Sequence, residues 1–94
     1  MRKYELMVVF PVEEDQFATG IEGVKKTLAD FGGQIVGEDP YGERELTYDV
    51  KGRTRGRYVL FTINAAPEKI IEMDRQLKLN VNLLTFLFVR VEEK

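Results

Sequence analysis

The residues best equipped for chemistry in this 94-residue chain are four cations spaced two apart: Lys51, Arg53, Arg55 and Arg57 in the acid-free run KGRTRGR. In an extended arm, side chains two apart point the same way. Like charges set side by side repel unless an anion lies between them. A phosphate backbone is one such anion, because the guanidinium offers phosphate oxygens a planar fork. A solvated loop kept soluble by its charge fits the same run. Arg2 and Lys3 open the chain and Arg90 lies near its end. If the first and last strands are neighbours, these three charges and Tyr4 meet at one edge. A tyrosine beside arginines suits stacking on an unpaired base, and it equally suits a core or edge position.

Catalysis has little to work with. The chain holds no cysteine, no histidine and no serine. Disulfides and thiolate chemistry are excluded, and so are the usual general base near neutral pH, the commonest metal ligand and the serine nucleophile. The composition therefore predicts no enzyme, no metal, no cofactor and no small-molecule substrate. A net charge of −2 and a pI near 5.2 argue against unaided, tight phosphate binding. The molecule is polarised, because four of its 14 lysines and arginines fall in one acid-free run while the rest of the chain is net acidic. Its length predicts a single domain over 1–94, and 44% hydrophobic with 32% charged residues is a globular composition. No apolar run approaches the roughly 20 residues that span a bilayer. The basic start, Met1-Arg2-Lys3, is not followed by the long apolar core of a secretion signal.

The elements that must position these residues are legible from periodicity. Residues 2 to 10, RKYELMVVF, read as a strand with Leu6, Val8 and Phe10 on one face and Met7 and Val9 on the other. Apolar residues on both faces predict a central strand, ended by Pro11. Asp15 is the expected N-cap of a helix whose stripe is Phe17, Ile21, Val24, Leu28 and Phe31, stopped by Gly32-Gly33. Residues 34 to 50 look extended, interrupted near Pro40-Tyr41-Gly42, with Leu46, Tyr48 and Val50 alternating as a half-buried strand. Glycines predict a hairpin loop from Lys51 to Gly56, followed by a strand from Tyr58 to Asn64. Pro67 starts a second helix with Ile70, Met73 and Leu77 as its stripe and Ile71 beside it. Residues 84 to 91 form the last strand, with Phe86 and Phe88 on one face.

The order β-α-β-β-α-β, joined by two right-handed crossovers, predicts an α+β, ferredoxin-like domain: a four-stranded antiparallel sheet with two helices on one face. Half of each strand should then be polar. Instead Met7, Val9, Tyr58, Leu60, Leu87, Val89 and Val91 fall on the uncovered side. A contiguous apolar patch of this kind marks a partner surface, a protein or a second copy. The plainer reading is that β-branched residues favour strands and sit singly among polar neighbours.

Four segments carry a family resemblance. The opening MRKYELMVVF, the run YGERELTYDVKGRTRGRYVLFTI, the proline-initiated helix APEKIIEMDRQL and the closing strand together resemble bacterial small-subunit ribosomal protein six. The most specific parts are the M-R-x-Y-E opening and the spacing of Gly42, Arg44, Leu46 and Tyr48. The resemblance implies a ferredoxin-like, cytoplasmic, ribosome-associated protein. It would bind the central domain of small-subunit ribosomal RNA as a heterodimer with small-subunit ribosomal protein eighteen. It also implies RNA contact at Arg2, Tyr4 and Arg90, with the hairpin arginines as further candidates. The chain departs from the family at Leu84 and Thr85, where relatives often carry basic residues, and it lacks the long charged tail of some members.

Three rivals share parts of this pattern. An RNA-recognition-motif domain needs an aromatic stacking pair, whereas Arg55-Gly56-Arg57-Tyr58-Val59-Leu60 matches its signature only in part. A dimeric regulatory module needs a ligand pocket at glycine-rich turns. An acylphosphatase-like hydrolase needs a phosphate-cradling loop after the first strand, where this chain has the acidic Pro11-Val12-Glu13-Glu14-Asp15.

Overall fold

The sequence predicts a central strand at residues 2 to 10, and β1 (Arg2–Phe10) has a neighbour on each edge. In the computed structural model, which describes residues 1–91, it pairs antiparallel with both β3 (Arg53–Ala65) and β4 (Thr85–Arg90). Beyond β3 lies β2 (Gln34–Val50), also antiparallel, giving the order β2-β3-β1-β4. Helices α1 (Glu14–Asp30) and α2 (Pro67–Leu77) fill the two crossovers. This is the ferredoxin-like α+β arrangement that the element order predicts.

The period of two decides which face of the sheet the helices cover. Leu6, Val8 and Phe10 of β1 join Val59, Phe61 and Ile63 of β3, Val24 and Leu28 of α1, and Met73 and Leu77 of α2 in one buried cluster. Burying side chains of this size stabilises by about 1.5–3 kcal/mol each relative to exposure. The molecule is thin, 36 × 27 × 19 Å, as a sheet under a single helical layer must be.

Helix α1 begins earlier than the sequence suggests. Phe17 N–H donates to Glu13 O (2.9 Å), so Glu13 is the N-cap and Asp15 lies inside the first turn. No side chain caps the helix, and the Glu13 carboxylate is engaged elsewhere. The other end stops at Gly32 (φ +79), where Gly33 N–H donates to Leu28 O (2.7 Å). That left-handed glycine closure is the expected one. Pro67 does open α2.

Two glycines in α1 are explained by the loop after α2. A Cβ on Gly20 would overlap Asn82 O, and one on Gly23 would come within 2.9 Å of Asn80 Nδ2. Asn80 Nδ2 donates to Gly20 O (3.2 Å), while its Oδ1 accepts from Asn82 N–H (2.9 Å). The close neighbour is thus a loop pinned on the helix, together with Phe10 of the sheet.

The hairpin differs most from expectation. Its turn is only Lys51-Gly52, both at positive φ (+51 and +76), between the paired residues Val50 and Arg53. Two positive-φ residues in a two-residue loop match the right-handed strand twist. Residues 53 to 56 therefore belong to β3 and not to a loop. Gly56 is a site of close approach, since a Cβ there would overlap Val9 Cγ1. In β2, register shifts fall between Ile35 and Gly37, between Pro40 and Gly42, and between Glu45 and Val50. Within the last of these Tyr48 is 80% exposed, so the half-buried alternation expected there holds only for Leu46 and Val50.

Candidate nucleic-acid and partner interface

The structure divides the eight predicted RNA-contacting residues between opposite ends of the sheet. Arg57 pairs with Phe10 at the end of β1, while Arg90 pairs with Tyr4 near its start. Eight strand steps separate Arg2 from Phe10, roughly 27 Å.

At the hairpin end the expected repulsion is resolved within the chain. Arg53, Arg55 and Arg57 do share one face, and each meets a glutamate on the helix side. Arg53 Nη1 reaches both carboxylate oxygens of Glu13, the longer contact at 2.6 Å, and its Nη2 reaches Gln16 Oε1 at 3.3 Å. Arg57 Nη1 donates to Glu14 Oε2 at 2.9 Å, and its guanidinium carbon stands 3.7 Å above the Phe17 ring. Arg55 Nε donates to Glu43 Oε2 at 2.5 Å, with Glu45 at 3.8 Å. Lys51 takes no carboxylate among the described residues; its Nζ donates to Leu83 O at 2.9 Å. The arginine side chains are about one-third to one-half exposed. Pairs of that exposure contribute only about 0–1 kcal/mol each, so they orient more than they stabilise.

The acidic segment that argues against a phosphate loop after β1 is therefore the counter-charge of the arginine run. Glu13, Glu14 and Glu43 are the residues that sequence reasoning missed. The available signal was the coincidence of an acidic helix start with a basic hairpin, which this topology places side by side.

At the other end, Arg2 and Lys3 begin β1, Arg90 ends β4, and Val91 N–H donates to Lys3 O at 3.0 Å. The charges do meet at one corner. Arg2 and Arg90 are exposed and have no carboxylate partner among the described residues. Tyr4 lies differently. It is only 7% exposed and packs in the core cluster, because it shares the even-numbered face of Leu6 and Val8. Its ring has no open face to offer a base, and the core reading of this residue is the one that fits.

On the uncovered side of the sheet, Met7 is opposite Leu60 and Leu87, and Glu5 is opposite Val89. Leu87 is 63% and Val89 46% exposed, with Met7, Tyr58 and Leu60 half-buried. Val9 departs from the expected surface. It is 4% exposed, because Leu46 and Leu84 close over the space above Gly56 beside it. Val91 lies just past β4 and is half-buried. The apolar surface continues around the β4 edge to Ile71, which is exposed and lines a cleft with Ile70, Phe86, Leu87 and Phe88. Sequence reasoning put Ile71 beside the buried stripe and missed this continuation. No group of three or more acidic side chains able to hold a metal occurs among the described residues.

Comparison with known proteins bears on the same fold. A family model described as ribosomal protein S6 matches residues 3–90. Small ribosomal subunit protein bS6 of Treponema denticola is 56% identical over 93 residues, spanning 99% of this chain and 100% of that one. The bS6 protein of Syntrophomonas wolfei is 35% identical over the full length of both chains. A crystal structure of 30S ribosomal protein S6 from Thermotoga maritima superposes with a TM-score of 0.84 at 22% identity, covering 96% of this chain and 87% of that one. The C-terminal domain of the MgtC protein from Mycobacterium tuberculosis shares the fold at a TM-score of 0.63 and 11% identity, over 98% of this chain and 89% of that domain. The relatives bear the names of ribosomal proteins, not of enzymes. With a match over nearly its whole length and relatives well above a third identical, this chain belongs to the ribosomal protein S6 family.

Proposed function

We propose that the chain is a structural constituent of the small ribosomal subunit in the bacterial cytoplasm. It binds the central domain of small-subunit ribosomal RNA together with small-subunit ribosomal protein eighteen. The observation that carries this reading is the uncovered sheet face, where Leu87 and Val89 stand exposed beside Met7, Leu60 and Tyr58. A partner that covers this patch removes apolar surface from water at about 25 cal/mol per Å². Charge supports the same division of labour. The hairpin arginines are matched by glutamates, whereas Arg2 and Arg90 form an exposed corner that has no carboxylate partner among the described residues and is open to phosphate. A chain of net charge −2 then needs a basic partner to supply most of the phosphate neutralisation.

Gel-shift titration of central-domain RNA tests this directly. The expected result is weak binding by the pure protein and a gain of at least tenfold when protein eighteen is added. Equal affinity with and without the partner would overturn the proposal.

A further inference from the structure

We propose that the acidic start of α1 is an internal stand-in for phosphate: Glu13 and Glu14 hold Arg53 and Arg57 against the helix and withhold the hairpin from RNA. The inference rests on the RNA-binding reading above and adds an autoinhibitory contact to it. Arg53 spends one nitrogen on both oxygens of a carboxylate, the kind of acceptor that a phosphate also presents. Arg57 is held from two sides, by Glu14 and by the face of Phe17. The N-terminal end of the helix dipole favours negative charge where these two glutamates sit. Both arginine side chains nevertheless remain about one-third exposed. A competing polyanion can therefore reach them, and it gains counterion release that a carboxylate does not offer. The hairpin pair Arg53 and Arg57 is thus locked, whereas Arg2 and Arg90 at the far corner are ready for phosphate.

The test uses the full chain and two polyanions, the central-domain RNA and heparin, which has no bases to read. Glu13→Gln/Glu14→Gln is compared with Glu22→Gln/Glu68→Gln, which changes net charge equally at exposed acids away from the hairpin. Circular dichroism checks each fold, and the single variants Glu13→Gln and Glu14→Gln serve if the double one is unstable. Unlocking should tighten RNA binding about tenfold over the charge control and steepen the log K against log salt slope by about two. Arg53→Gln/Arg57→Gln should leave wild-type affinity within about twofold, yet abolish the gain when added to Glu13→Gln/Glu14→Gln. If the two glutamate pairs behave alike on both polyanions, or if Arg53→Gln/Arg57→Gln alone loses tenfold, the lock does not exist. If heparin retention follows the unlocking pattern while the RNA is bound by no form of the protein, with or without protein eighteen, the lock stands and the ribosomal reading fails.

Discussion

Gly56 and Gly42 are both glycines of the long hairpin, and they are needed for different reasons. At Gly56 the obstacle is space, because a Cβ would overlap Val9 Cγ1 from the neighbouring strand. At Gly42 the obstacle is the backbone, with φ at +80 and nothing within 4 Å of a Cβ. Gly56→Ala should cost about 1–3 kcal/mol through overpacking of β1. Gly42→Ala should cost about 1 kcal/mol through its left-handed conformation. Urea unfolding of the two variants measures the difference, and equal, negligible shifts would remove the close-approach explanation. Residue identity in the sequence announced both glycines but not which constraint applied, since overlap with Val9 arises only once β1 and β3 pair. Tyr4 makes the opposite case. Its parity with Leu6, Val8 and Phe10 put it on the core face, and simple alternation was a better guide to its place than the arginines beside it.

Among the elements, the two helices and the outer limits of β1 and β4 were readable to within about two residues, because stripes and alternation depend only on local sequence. The hairpin was not, because Lys51-Gly52 and Gly56 look equally like turn residues until register is known. The open face was legible as a set of apolar positions, apart from Val9, whose burial depends on Leu46 and Leu84 converging above Gly56. Substitutions separate the two faces of the sheet. Val89→Glu and Leu60→Glu should leave the far-ultraviolet circular dichroism spectrum unchanged while abolishing co-purification with protein eighteen. Phe61→Ala on the helix side should instead cost about 3–5 kcal/mol, as a cavity in a packed core does. Unchanged co-purification of the folded Val89→Glu protein would remove the open face from the interface.

At the scale of the whole molecule, charge is sorted before any ligand arrives. One end of the sheet holds arginines and glutamates in matched pairs, and the other holds Arg2, Lys3 and Arg90 at a single corner, roughly 27 Å away. Arg2→Gln/Arg90→Gln should therefore weaken RNA binding by the heterodimer and flatten its salt dependence by about two units of slope. Filter binding across a salt series reads both effects, and an unchanged slope would take that corner out of the interface. Sequence alone could sum these charges but could not pair them, since the partners of Arg53 and Arg57 lie about 40 positions away and that of Arg55 lies across the hairpin. Association with the ribosome is tested most directly by sedimenting lysate of cells that express the wild-type chain or its Val89→Glu variant. The wild-type chain is expected in the small-subunit fractions and Val89→Glu at the top of the gradient. A wild-type chain found only at the top, folded and abundant, would contradict the ribosomal role outright.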